Sequence, residues 1–249
     1  MGIYDRDYVR SGPGRGVSAD EFGRLRALSV TTWLIGINVA VFFLDPVLQR
    51  MNLVLVQTAP GRYASVPPLE YFGHFSTGTA VWGAQVWRFI TFQFLHANFQ
   101  HLLFNMLGLY FFGQMMETYL GRQRYLMFYL LCGVAGAAAY LVLWAAGLLV
   151  TNAWVPLVGA SAGIFGMLAA AAQVAPRAKV MLMFPPMPVE LRTWAYVLLG
   201  IAAATILFAG PNAGGEAAHL GGALLGMWMI RNPRVLAAIG PRQRLGYRG

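Results

Sequence analysis

Four side chains in this 249-residue chain have types and spacing that could do chemistry together: Ser161, His219, His101 and Asn105. Each lies in an otherwise apolar block, where a polar group is costly and tends to mark a functional position. Ser161 stands in Gly159-Ala160-Ser161-Ala162-Gly163-Ile164-Phe165-Gly166, a lone hydroxyl among small residues at the start of its block. A serine hydroxyl becomes a nucleophile when an adjacent base takes its proton, and His219 is the candidate base. The tetrahedral intermediate of such a reaction carries a negative oxygen that needs donors aimed at it. The free N–H groups at the start of the Ser161 helix could supply them. His101 and Asn105, four residues apart and so on one helix face, could add side-chain donors. Gly159 and Gly163 would let a substrate backbone come close to the serine. The chemistry is acyl transfer. No carboxylate is expected at the depth of His219, because Glu216 reads as part of an outer turn, so the expectation is a Ser–His dyad.

The elements that must position these residues are apolar blocks. The chain is 58% hydrophobic and 11% charged, against about 25% charge in an ordinary soluble domain. A mobile basic arm (1–28) with no signal-peptide core precedes a first block from Leu25 or Val30 to Leu44, closed by Asp45-Pro46. A long aromatic segment, Met51 to Leu95, is too polar to span. Further blocks follow at Phe99–Met116, Tyr125–Val150, Leu157–Ala175, Trp194–Ala209 and Ala217–Ile230. Pro211–Glu216 reads as a tight turn, and Pro185, Pro186 and Pro188 forbid a regular helix in the 176–192 connector. The fold class is therefore an all-α, six-transmembrane-helix bundle over 29–232, with a long first outer loop and a basic tail over 233–249. The last two blocks are short for the roughly 20 residues a span needs.

Net charge is +9, with no polar helix face suited to nucleic acid. All of the 18 Lys and Arg except Arg50, Arg62 and Arg88 fall on one side of the six-span topology, which puts both termini in the cytoplasm. The second, fourth and sixth blocks then enter from the outer face, bringing His101, Asn105, Ser161 and His219 to similar depth, within the first turn or two. The single cysteine, Cys132, reads as packing.

Other readings of these residues differ in kind. Small residues in apolar helices are ordinary packing devices, and Ser161 could bond a carbonyl one turn back. His96, His101 and His219 could ligate a metal, but there is no His-Glu-x-x-His and carboxylates are scarce, which also speaks against an aspartyl protease. Glu117 with Arg122 and Arg124 reads as a structural pair at the cytoplasmic edge. Trp87 and Arg88 read as interface anchors of the outer loop. A solute transporter is disfavoured because the halves show no inverted repeat.

In this order and on these blocks, the motifs resemble the rhomboid intramembrane serine proteases over roughly residues 25–232. They are Trp87-Arg88, His96-Ala97, His101-Leu102-Leu103-Phe104-Asn105-Met106, Glu117 with Gly121 and Arg124, Gly159-Ala160-Ser161, and Ala218-His219-Leu220-Gly221-Gly222. The resemblance implies a cofactor-free, metal-free serine endopeptidase of the compact six-helix form, with Ser161 as nucleophile and His219 as general base. It implies oxyanion stabilisation by His101, Asn105 and the Ser161 N–H around Gly159. It also implies an aromatic, Phe165, packed on the catalytic histidine, with His96, Trp87 and Arg88 in supporting places. Its substrates would be single-pass membrane proteins, cleaved near the outer face of the cell membrane, with the first loop partly in the outer leaflet and the fifth helix flanking substrate access. The family's glycine after the serine is Ala162 here, a methyl that could narrow the oxyanion pocket. The alternative is a catalytically silent relative that binds membrane-protein clients.

Overall fold

The computed structural model describes residues 28–149, 152–181 and 186–239. The expected basic arm up to residue 27 and the last ten residues of the expected tail lie outside the described residues. The first long helix, α1 (Val30–Arg50), starts where the Ser29 hydroxyl accepts the Thr32 N–H. Its other first donors go to Glu117, which accepts from the Val30 and Thr31 N–H groups at 2.8 and 2.9 Å. A distant carboxylate thus caps the positive end of α1, a favourable use of charge at a helix start. The helix does not stop at Asp45-Pro46, as expected, but carries Pro46 inside it and runs on to Arg50. Asp45 serves the next helix instead, accepting the Leu69 and Glu70 N–H groups at 2.7 and 2.8 Å.

The first loop is ordered throughout. It holds a hairpin, β1 (Leu55–Ala59) with β2 (Arg62–Ser65), then α2 (Pro68–Gly73), a π-helical turn (Thr77–Trp82) and α3 (Arg88–Thr91). Arg88, expected at an interface, is only 2% exposed. Its guanidinium gathers the loop by donating to the His74 and Tyr71 carbonyls and to Gln85 Oε1. A buried charge needs such partners. Trp87 is the more exposed neighbour and donates its indole N–H to the Phe72 carbonyl at 3.0 Å.

The second block is one continuous helix: α4 (Phe99–Gly108), a π-helical stretch (Leu109–Gly113) and α5 (Gln114–Leu120). Gly121, at φ 77°, ends it and starts α6 (Arg122–Ala145). α7 (Ser161–Val174) is followed by a hairpin of β3 (Lys179–Met181) and β4 (Pro188–Glu190), paired Lys179 to Glu190, in the connector whose prolines exclude a helix. α8 (Leu191–Leu207) begins three residues before the expected block. α9 (Ala213–Arg231) begins four residues early, so the expected turn before it is largely its first turn. Asn232 leads into α10 (Pro233–Ala238), whose Leu236 is 2% exposed. The expected tail therefore opens with a helix docked on the bundle, where Leu236 also accepts from Arg124 Nε.

α7 is the central helix: from Ile164 to Ala172 only Phe165 escapes full burial. It packs on α6 and α9 through small residues. A Cβ on Gly222 or Gly226 of α9 would run into the backbone carbonyls of Ala162 or Gly166, and one on Gly163 would meet the Tyr129 ring of α6 at 2.5 Å. Close approach of backbones through glycine is how helices associate in lipid, where burial of apolar surface gives no drive. Around this centre the outer surface stays apolar: Phe43, Phe104, Phe111, Val142, Ile201 and Leu224 are all exposed. Among the described residues two helices, α1 and α6, are long and apolar enough to cross a bilayer on their own. The assembly is an all-α membrane bundle with two small hairpins.

Candidate active site

Ser161 is the first residue of α7, and the chain before it is strapped to the first loop. Leu157 pairs with Phe75 through two backbone bonds of 2.7 and 3.0 Å, and the Gly159 N–H donates to the Phe92 carbonyl at 2.9 Å. Gly159 then turns at φ 130°, a conformation that side chains rarely adopt. The earliest helical N–H with a backbone partner is that of Ile164, bonded to the Ala160 carbonyl. The N–H groups of the first turn point out of the helix end at the serine, as helix geometry requires.

His219 lies on the seventh residue of α9. Its Nε2 is 2.8 Å from Ser161 Oγ across 58 residues of chain. The imidazole is stacked on Phe165, one turn beyond the serine, with ring centroids 4.1 Å apart and planes 3° from parallel. Its other nitrogen, Nδ1, is 2.9 Å from Glu216 Oε2. This overturns the expectation that no carboxylate reaches His219. Because α9 starts at Ala213, Glu216 lies inside the helix three residues before the histidine and shares its face. Glycine-rich Ala213-Gly214-Gly215 reads as a turn by propensity, yet a Cβ on Gly214 would meet the Tyr140 ring at 2.8 Å, and that close packing holds the segment helical.

His101 and Asn105 are one turn apart on α4, whose start is capped by Asn98 Oδ1 accepting the His101 N–H. The point where a Cβ on Gly159 would stand is 2.8 Å from His101 Nε2 and 3.6 Å from Ser161 Oγ. The missing side chain of Gly159 thus leaves room between imidazole and hydroxyl. Since its N–H is taken by Phe92, Gly159 contributes space rather than a donor. Asn105 is 5% exposed and spends one amide hydrogen on the His101 carbonyl, leaving the second. His101, Asn105, Gly159, Ser161 and His219 line one cleft of about 490 Å³.

Two expectations about neighbouring residues change. Gly163 does not face the cleft; its side-chain position is filled by Tyr129. Ala162 borders the cleft, but it is 1% exposed and its methyl sits against Gly136 of α6, where an added Cβ would be 2.6 Å away. Its effect falls on helix packing.

His96, in the loop before α4, sits edge-on to His101 with ring centroids 5.1 Å apart. Neither of its ring nitrogens has a hydrogen-bond partner among the described residues. Burial, with His101 adding to it, pushes His96 down to about 3, so the folded protein holds it neutral. The unfolded chain takes up that proton from pH 6.5 downward while the folded state refuses it, so stability falls as pH drops from about 6.5 toward 3. His96→Phe should flatten this acid loss in thermal melts in detergent between pH 7 and pH 4. An unchanged pH dependence would contradict it. Among the described residues no three His, Cys, Asp or Glu side chains converge as a metal site requires.

Comparison with known proteins places the chain among relatives. A family model described as the rhomboid domain matches residues 83–232, which hold all the residues of the cleft. The chain is 32% identical to rhomboid protease AarA of Providencia stuartii over 81% of its own length and 71% of that protein's. It is 32% identical to the mitochondrial rhomboid protein 1 of Saccharomyces cerevisiae over 55% of its own length and 40% of that protein's. It is also 30% identical to inactive RHOMBOID-like protein 8 of Arabidopsis thaliana, over 49% of its length and 33% of that protein's. The chain belongs to the rhomboid family.

Proposed function

We propose that this protein is an intramembrane serine endopeptidase that cuts membrane proteins within or beside a transmembrane segment. The observation that carries the reading is the 2.8 Å contact of Ser161 Oγ with His219 Nε2, made between two helices that meet through glycine. His219 takes the hydroxyl proton as Oγ attacks the scissile carbonyl. The oxyanion develops beside the free N–H of Ser161, with His101 and the second Asn105 amide hydrogen as side-chain donors.

All six long helices are read as spans, with both termini cytoplasmic and the cleft toward the outer face of the cell membrane. α7 has 14 residues, so it extends about 21 Å in a hydrocarbon core about 30 Å thick. A helix that short starts below the surface, which suits a nucleophile that meets substrates inside the bilayer. Substrates are single-pass helices with small or helix-weakening residues near the outer face, because a regular helix hides its carbonyls in its own hydrogen bonds.

A fluorophosphonate probe applied to membranes tests this. Covalent labelling confined to Ser161 is the expected result. Absence of labelling, together with retained binding of membrane-protein clients, would favour a silent, client-binding protein; the Arabidopsis relative is named inactive.

A further inference from the structure

We infer that Glu216 is a positioning residue for His219, holding the imidazole in its working tautomer and balancing the charge it acquires. This rests on the acyl-transfer reading of Ser161 and His219. To receive the serine proton, Nε2 must present its lone pair to Oγ, which leaves the ring proton on Nδ1. A buried N–H needs an acceptor, and Glu216 Oε2, 2.9 Å from Nδ1, is in place to be one. The two side chains are 14% and 20% exposed, the histidine less than the glutamate. Water therefore screens the pair only in part.

The pair is set by backbone geometry. Residues three apart on a helix are neighbours, and the early start of α9 puts Glu216 within that helix. Phe165 holds the imidazole plane from one side. Among the described residues, the other titratable group facing His219 is His101 of α4, with His96 behind it. The residues lining the cleft include no Lys, Arg or Asp. Among the described residues, Glu216 is the carboxylate bonded to His219 when the imidazole becomes a cation.

The steps balance without Glu216 changing state. As the Oγ–carbon bond forms, the hydroxyl proton passes to Nε2. That proton then goes to the leaving amine as the carbon–nitrogen bond breaks. Water repeats the sequence: its oxygen bonds to the acyl carbon, its proton goes to Nε2, and the proton returns to Oγ as the ester breaks. The Nδ1 proton stays on His219 throughout, shared with the Glu216 carboxylate.

The test measures kcat and KM on a membrane-tethered substrate for the full chain in detergent, with turnover counted per fluorophosphonate-titrated site. Glu216→Ala should lower kcat by on the order of 10²-fold, a typical share for acid–base assistance, with KM and melting temperature unchanged. Glu216→Gln keeps the shape and an acceptor oxygen but no charge, and should lose about 10-fold. Glu216→Asp should recover most of the alanine loss. Wild-type kcat in both the alanine and glutamine variants would overturn the inference. So would a loss that disappears when turnover is counted per titrated site, since that is a folding effect. Ser161→Ala run alongside separates the two ideas: if it is inactive while Glu216→Ala turns over normally, only the role of Glu216 fails. If Ser161→Ala cleaves normally, the protease reading itself fails.

Discussion

Ser161→Ala and His219→Ala should each lower cleavage of a membrane-tethered substrate by roughly 10⁴-fold or more, equivalent to about 5.5 kcal/mol of transition-state stabilisation, if the proposed protease reading holds. The serine variant lacks the proposed nucleophile, and the histidine variant lacks the imidazole hydrogen-bonded to that hydroxyl. The double variant is scarcely worse than either one, because groups that act as a unit lose their effect together. Neither change should unfold the bundle. Ser161 stands at a helix start, and the alanine substitution removes one partly buried hydrogen bond, worth about 1 kcal/mol. Melting in detergent and the elution profile on gel filtration should match those of the unaltered protein. Undiminished cleavage by the serine variant would end the assignment.

Gly222→Ala should produce the second large effect, although Gly222 does not line the cleft. α9 runs against α7 so closely that a methyl at 222 would overlap the Ala162 carbonyl oxygen, with the Cys132 carbonyl 3.2 Å away on the other side. Backbone atoms on both sides cannot give way as a flexible side chain would, so α9 must shift outward. His219 is three residues earlier on the same face and moves with it. The Ser161–His219 distance is 2.8 Å, and a displacement of about 1 Å carries the pair beyond hydrogen-bond range. A misplacement of that size costs on the order of 10²-fold in turnover, and overpacking costs roughly 1–3 kcal/mol of stability. The expected result is a kcat lower by about two orders of magnitude in a protein that still folds and melts several degrees early. Leu224→Ala, on the exposed side of the same helix, should leave kcat unaltered. Wild-type turnover in Gly222→Ala would show that the interface tolerates separation.

Much of the helix inventory is legible without a structure, because apolar blocks bounded by Pro, Gly and charge are strong signals. The misplaced boundaries share one cause. Pro46 inside α1 and Gly214-Gly215 inside α9 are breakers by propensity, but the helices continue through them because tertiary contacts hold the segments. Asp45 is bonded to α2 rather than terminating α1, and Gly214 packs under Tyr140. The burial of Arg88 inside the loop was likewise illegible, since composition does not reveal which carbonyls will surround a guanidinium.

The sequence by itself determined that this is an apolar helical chain with a hydroxyl, two imidazoles and a carboxamide at the starts of its second, fourth and sixth blocks. Periodicity and length carry that information locally. What only the tertiary structure decided is how the blocks meet: Ser161 to His219 across 58 residues, Phe165 flat on the imidazole, and Gly159 leaving space beside His101. It also decided that Glu216 lies on His219. The physical reason is that glycine contributes no side chain of its own. Whether Gly214 and Gly215 turn the chain or let another helix approach depends on what packs against them, and a four-residue difference in where α9 starts places a carboxylate either in an outer turn or on His219.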